Sequence, residues 1–391
     1  MKINGMYTGF AFSRNPIVYS GESGLLSHNS VGSMFVEMGS QTIFEGRVAI
    51  PVQINLSDII DANASYFRDV PVDNVFPIYQ IEDPGELDRR GVSVYIENDE
   101  GDQTDSIGFI AIPGGISKQN YRRFNSLDTD AFAARFLNPK GNYYLTTRTA
   151  SWRITMKETE VAPLYFILRT DTAIKITEKI SNVSIDFGEY ENGVYALDIN
   201  ALRRKFFDEF NILSSQFDVY TDQYFSCRIV IERAESARER YRLKFRNSLG
   251  VFEMIELIGE LSLAPSYDDG DGTAFNRYDI ITDDFQTERE RIPMTLFVTA
   301  HTGPKRPDEV HFLMDMIASD EVYLLDMIDL PVKVIPTIEN FQHRYHPEAP
   351  ENFNIKLEIA DRELHIMQDI VDGTENRRPR VFSKQFSKQF N

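Results

Sequence analysis

The stretch Tyr241–Leu263 constrains the fold more than any other part of the chain. In its first half, Tyr241, Leu243 and Phe245 alternate with three basic residues. This is the two-residue period of a strand with one buried side and one solvent-facing side. Asn247–Gly250 then supplies a turn, because Asn and Gly tolerate the left-handed backbone of a tight reversal. A second apolar run completes the stretch. Its spacing also fits a helix, but the preceding strand and turn favour a β-hairpin.

The hairpin sequence also carries a resemblance. A basic-aromatic strand, Asn-Ser-Leu-Gly and an aromatic-acidic strand resemble structural tail proteins of phages and prophages of Bacteroidetes hosts. Three other stretches are similar to that family: Asn15–Tyr19, Ile54–Ile60, and Gly114–Ile116 leading to Phe136–Leu137. The resemblance covers the first two-thirds of the chain and lies in the order of these patterns. It implies a subunit of a tail hub, baseplate or distal-tail ring.

Length and strand patterns predict a mainly β protein of several domains. At 391 residues the chain is too long to fold around a single hydrophobic core of ordinary size. We expect tandem sandwich- or barrel-like domains, each with a short helix. The predicted boundaries are 1–147 for an N-terminal β domain, 148–263 for a second with helix 201–210 and hairpin 241–263, 264–276 for a linker, 277–372 for a C-terminal β domain and 373–391 for a basic arm.

Two short segments repeat one pattern at the start of a predicted helix. Ile54–Ile59 and Leu197–Leu202 both read apolar, Asn or Asp, apolar, capping residue, any residue, apolar. The capping residues in this alignment are Ser57 and Asn200. Tandem domains of similar build would produce such a repeat, and so would chance.

The net charge limits the kinds of partner that the protein can bind, and its cysteine content indicates the compartment in which it folds. The net charge of −19 argues against nucleic-acid binding by phosphate neutralisation. It is compatible with lining a conduit that DNA passes without sticking. The single cysteine, Cys227, lies on the apolar face of an alternating run, so we interpret it as a small buried hydrophobe. We predict no secretory signal, no membrane insertion and synthesis in a reducing cytoplasm.

The sequence contains no motif that predicts catalysis, and we expect no enzyme, cofactor or metal. No phosphate-binding loop, nucleophile elbow or HExxH is present. Asp268–Thr273 is acidic, but an EF-hand loop counted from Asp269 or Asp271 lacks its closing Glu. His343 and His346 have helical spacing, but three nearby prolines favour a loop with surface histidines.

The C-terminal segment 373–391 is basic and repeats Ser-Lys-Gln-Phe twice. One interpretation is a disordered tail. The other is an arm that becomes ordered on an acidic neighbouring subunit. The residues that would make that contact are Arg377, Arg378, Arg380, Phe382, Phe386 and Phe390.

We therefore expect a structural component of a phage tail, located in the virion, that contacts copies of itself in a ring and other tail proteins. Contact with passing DNA would be passive and without sequence specificity. A carbohydrate-binding or receptor-binding adhesin module of a phage or cell surface is the alternative.

Overall fold

The protein is mainly β in the computed structural model, with 27 strands and four helices among the residues that the structure describes. The predicted fold class is therefore confirmed. The described residues are 2–7, 9–21, 31–70, 76–101, 103, 106–118, 121–122, 143–150, 153–267, 274–289, 294–326, 331–337 and 350–360.

Two sheets form around the N-terminal core. The first orders its three strands as β1 (Lys2–Asn4), β4 (Val18–Gly21) and β7 (Val52–Asn55). The second is six-stranded, in the order β2 (Met6–Tyr7), β3 (Phe10–Phe12), β10 (Ile107–Ile112), β9 (Gly91–Glu97), β5 (Val31–Met38) and β6 (Gln41–Ala49). Val92, Val94 and Ile96 alternate along β9 and are buried in this core. Helix α1 (Ser57–Asn63) follows β7.

A four-stranded sheet and a six-stranded sheet follow. The smaller one is ordered β11 (Tyr143–Tyr144), β14 (Leu164–Leu168), β17 (Gly193–Leu197) and β8 (Ile78–Glu82), with α2 (Pro84–Asp88) after β8. The larger is ordered β12 (Thr149–Ala150), β13 (Arg153–Lys157), β19 (Tyr224–Glu232), β18 (Gln216–Thr221), β15 (Thr172–Glu178) and β16 (Ser184–Tyr190). The smaller sheet combines strands from both sides of residue 147, and the predicted tandem arrangement of domains is not confirmed.

Helix α3 (Ile199–Phe210) contributes Leu202 and Phe206 to the core beside these sheets. Its predicted position is right, but the N-terminal cap is Asp198 rather than Asn200: the Asp198 Oδ1 accepts a hydrogen bond from the Ala201 amide at 2.9 Å.

Six strands close into a barrel, in the order β20 (Arg240–Arg246), β21 (Phe252–Tyr267), β24 (Met294–Lys305), β27 (Glu351–Ile359), β26 (Val332–Thr337) and β25 (Val322–Leu324). The predicted hairpin is confirmed: β20 and β21 pair antiparallel, with Leu243 opposite Ile255 and Phe245 opposite Glu253. Helix α4 (Pro307–Ile317) follows β24 and brings the Phe312 ring to 5.1 Å from that of Phe245.

The chain divides into two compact units. The first comprises Met1–Leu263 and Val298–Ala360, and the second 264–297 and 361–391. In the second unit, β22 (Ala274–Asp279) and β23 (Asp284–Arg289) form an antiparallel hairpin. Strand β21 continues to Tyr267 and β22 begins at Ala274, so part of the stretch predicted as linker is strand.

Candidate functional site

The stretches that carry the family resemblance meet in the structure, at a place that we call the motif junction; Phe136–Leu137 lie outside the described residues. The junction comprises Asn15–Tyr19, Ile54–Ile60, Gly114–Ile116 and Asn247–Gly250. The Asn15 Nδ2 donates to the Ile116 carbonyl at 2.8 Å, and its Oδ1 accepts from the Ile116 amide at 2.8 Å. The Ile17 amide donates to the Asn55 Oδ1 at 3.0 Å. Hydrogen bonds thus join these stretches, which lie far apart in sequence.

The turn Asn247–Gly250 contacts the Gly114 region through a backbone hydrogen bond. The Gly115 amide donates to the Ser248 carbonyl at 2.7 Å. At Gly114, where φ is +104°, a Cβ would lie 2.1 Å from the Ser248 carbonyl oxygen. A side chain there would be both strained and in collision, so this contact requires glycine.

A set of charged side chains is buried beside the junction, and we call it the buried ion cluster. Its members are Arg148, Glu160, Glu253, Lys305 and Asp315. The Glu160 Oε2 accepts from the Arg148 Nη1 at 2.9 Å, and its Oε1 accepts from the Lys305 Nζ at 3.3 Å. Burial alone would raise the pKa of Glu160, but the Lys305 and Arg148 charges lower it to about 2. This carboxylate is therefore ionised and held by two cations.

The cluster continues to the hairpin turn through two further acids. The Glu253 Oε2 accepts from the Asn247 Nδ2 at 2.7 Å. The Asp315 Oδ2 accepts from the Thr147 Oγ1 at 2.9 Å and from the Ser248 amide at 3.2 Å. Burial raises the pKa of Asp315 to about 6, against the effect of these hydrogen bonds. The cluster thus holds the turn that forms part of the motif junction.

The geometry of the cluster supports a structural role. The cavity beside Arg148, Glu160 and Lys305 has a volume of about 10 Å³, room for at most one water molecule. The Arg148, Glu160 and Lys305 side chains are 7%, 2% and 2% exposed. Perturbed carboxyl pKa values often mark active sites; here burial, neighbouring charges and hydrogen bonds account for them.

A polar groove of about 520 Å³ is lined by residues of β5, β6, β8 and α2 and by the chain that follows α1. Arg68 pairs with Glu86 at 2.9 Å on its wall. Arg89 is exposed and has no ion-pair partner within the described part of the chain. Tyr66 lines the groove, but the guanidinium carbons of Arg14 and Arg246 lie 5.7 and 4.2 Å from its ring centroid. The groove therefore offers one exposed cation, Arg89, and one tyrosine, Tyr66, whose ring already contacts two arginine side chains.

An apolar protrusion lies at the turn between β22 and β23, and we call Tyr278–Phe285 the hairpin tip. Ile280 and Ile281 are 86% and 93% exposed, and Phe285 is 66% exposed. The Tyr278 and Phe285 rings lie 5.4 Å apart, edge to face. Large aliphatic side chains are seldom this exposed next to one another, and such patches mark interaction sites.

The residues singled out from the sequence have different outcomes. Cys227 is buried, as predicted, and burial raises its thiol pKa to about 12. Within the described ranges, no group of three His, Cys, Asp or Glu side chains is placed to hold a metal ion. The proposed assembly residues of segment 373–391, the acidic loop 268–273, and His343 and His346 lie outside the described residues.

A scan against protein-family models finds no match to this chain, and a search of curated proteins finds no similar sequence. Among the described helices, none has the length and apolar character needed to cross a membrane.

Proposed function

We propose that this protein is a structural subunit of a bacteriophage tail, in the hub, the baseplate or the distal-tail ring, and that it works by assembly. The observation that carries the assembly role is the exposed apolar hairpin tip. A two-stranded hairpin is marginal in water by itself, and burying Ile280, Ile281 and Phe285 against another chain would remove their apolar surface from solvent.

The phage assignment rests on the resemblance of four stretches to tail proteins. The hydrogen bonds of the motif junction support treating these stretches as one unit, because they connect Asn15 with Ile116 and Ser248 with Gly115. Four stretches that are joined by hydrogen bonds in the structure identify a family more specifically than any one stretch does alone. The partners in this proposal are copies of the chain in a ring and other tail proteins.

The acidic charge fits such a place. A net charge of −19 repels the phosphate backbone, so DNA could pass a ring of these subunits without being held. Sequence-specific nucleic-acid binding is not part of the proposed role.

Antibody labelling of virions tests the proposal. Antibodies raised against the purified protein should label one position on the tail of particles that carry its gene, in negative-stain or cryo-electron images. Purified particles that bind the antibody nowhere would refute the phage assignment. Imaging of the purified protein at high concentration should show closed rings or ring fragments.

A carbohydrate- or receptor-binding adhesin is the second candidate, and the 520 Å³ polar groove favours it. Sugar sites commonly use a free aromatic face, whereas the Tyr66 ring here already contacts Arg14 and Arg246. Glycan-array binding by the wild-type protein, lost on Arg89→Ser, would support this candidate. The absence of binding to any glycan would favour the assembly role.

A further inference from the structure

The hairpin tip is organised so that its polar groups bond one another and its apolar groups face solvent. The Asp279 Oδ1 accepts from the Ile281 amide at 3.0 Å, and its Oδ2 accepts from the Thr282 Oγ1 at 3.0 Å. The Tyr278 hydroxyl donates to Asp283. Turns are usually built from polar residues that meet water. Here those residues fix the turn and leave the Ile280 and Ile281 side chains outside.

The tip is also acidic. Asp279, Asp283 and Asp284 lie within Tyr278–Phe285, which contains no Lys or Arg. Asp283 and Asp284 are exposed and Asp279 is partly exposed, so the tip presents negative charge to a partner. A complementary surface would combine apolar side chains with cations at short spacing.

The C-terminal segment of the chain has that composition in a strict order. Phe382, Lys384, Phe386, Lys388 and Phe390 occupy every second position, with Ser or Gln between them. In an extended chain, side chains two residues apart point to the same side. Extension would therefore place the Phe and Lys side chains on one face and the Ser and Gln side chains on the other. With five basic residues and one acid, segment 373–391 carries a charge opposite to that of the tip.

The geometry points to residues 381–390 of a second copy of this chain as the occupant of the hairpin tip. The Phe side chains cover Ile280, Ile281 and Phe285, and the Lys side chains meet the tip aspartates. The partner chain binds in extended form along the tip. This inference rests on the proposed assembly role and names the joint by which one copy holds the next.

Charge favours a second copy as the source of the segment. Copies of a chain with net charge −19 repel one another, so a joint between them needs a local cationic surface. Segment 373–391 supplies one. Because a tip contacts a different surface on the next copy, the contact is heterologous and can close into a ring.

Sedimentation velocity of the full-length protein tests the joint. Three variants are compared with wild type: a tip variant, Ile280→Ser with Ile281→Ser; a tail variant, with Phe382, Phe386 and Phe390 each changed to Ser; and a control, Ile180→Ser. Ile180 is 74% exposed in the first compact unit. The substituted tip residues are almost fully exposed, so the fold is expected to persist, and circular dichroism checks this.

We expect concentration-dependent association of the wild type and of the control. The tip and tail variants should each associate at least about 10-fold more weakly, the loss expected when about 1.4 kcal/mol of binding free energy is removed. Raising the salt concentration from 50 to 500 mM should weaken association of the wild type, because salt screens the attraction between the lysines and the tip aspartates. A mixture of the two variants should form a species of two chains, since one supplies an intact tip and the other an intact tail.

Failure of the joint and failure of the assembly role give different results. If the tip and tail variants associate as strongly as wild type, the joint is overturned and assembly through another surface stands. If the wild type remains a single chain at every concentration tested, both are overturned. If each variant weakens association but their mixture forms no two-chain species, the tip–tail contact between copies is overturned.

Discussion

Glu160→Gln should destabilise the protein strongly, because it removes the anion that holds Lys305 in the interior. Both side chains are 2% exposed, and Glu160 is the only ion-pair partner of Lys305 among the described residues. Arg148 keeps the Met254 carbonyl and Glu253 as partners in the variant. The charge left without compensation is therefore that of Lys305.

Two estimates of the free energy of unfolding lost in Glu160→Gln agree. Removing one partner of a buried ion pair costs about 3–5 kcal/mol. The pKa of Glu160 lies at about 2 instead of 4.5, and at 1.36 kcal/mol per pKa unit the ionised form contributes about 3 kcal/mol at neutral pH. A cooperative unit of roughly 300 residues has an unfolding entropy of about 0.6 kcal/mol/K. The expected decrease in Tm is therefore about 5 °C.

Thermal unfolding followed by near-ultraviolet circular dichroism measures this change. The matched control is Glu209→Gln, which breaks an i,i+4 pair with Lys205 at 3.3 Å between side chains 37% and 43% exposed. Surface pairs contribute under about 1 kcal/mol, so Tm should change by no more than about 1 °C. The wild type should also lose the Glu160 contribution as the pH falls from 4.5 towards 2, and the variant should lack this component.

A double variant separates charge from packing. In Glu160→Gln with Lys305→Met both charges are gone, so the loss should be smaller than the sum of the single losses by at least about 1 kcal/mol. Strict additivity of the two substitutions, or a Glu160→Gln Tm equal to that of the surface control, would refute the reasoning.

Three further predictions concern backbone contact, pH and thiol reactivity. Gly114→Ala should destabilise by several kcal/mol more than Gly188→Ala in chemical denaturation, since both have positive φ but only Gly114 faces an atom, the Ser248 oxygen, at 2.1 Å from a Cβ; equal losses would contradict the contact. Asp315→Asn should reduce the loss of stability between pH 4 and pH 7. The raised pKa of about 6 means that the Asp315 contribution is fully present below about 3.8 and lost as pH rises through 6; an unchanged pH–Tm profile would contradict this. Cys227 should remain unreactive towards a disulfide reagent until the protein is unfolded, because it is fully buried and its pKa is raised to about 12; rapid labelling of the native protein would show that the site is open.

Local periodicity predicted the elements whose burial follows from their own sequence. Leu243 and Phe245 alternate with basic residues and are buried in β20, and Leu202 and Phe206 recur at helical spacing and are buried in α3. The helix N-caps were harder to predict from the sequence, because the capping role depends on which residue precedes the first turn. In α1 the N-cap is Leu56, not Ser57, whose amide instead donates to the Asn55 Oδ1 at 3.3 Å.

The buried ion cluster could not be predicted from the sequence. Lys305 lies 145 residues from Glu160 in the sequence, and Arg148, Glu160 and Lys305 are all of charged residue types that are usually exposed. Their burial follows from the closing of the barrel, in which β24 ends at Lys305 and β21 pairs along β20. In a chain with 60 acids, no local pattern separates Glu160 or Asp315 from the rest.

The burial preferences of the chain are reversed at two places, and the two reversals have different physical outcomes. In the interior, ion pairs and hydrogen bonds within the cluster offset the cost of desolvating Glu160 and Lys305, so these charges need no further partner. At the hairpin tip, Ile280 and Ile281 remain in water, and no rearrangement of their own turn can cover them because its polar bonds fix the backbone. Only another surface can remove that apolar area from solvent. The interior therefore sets stability, while in the proposed joint the tip would provide free energy for association, and substitutions at one should leave the other unchanged.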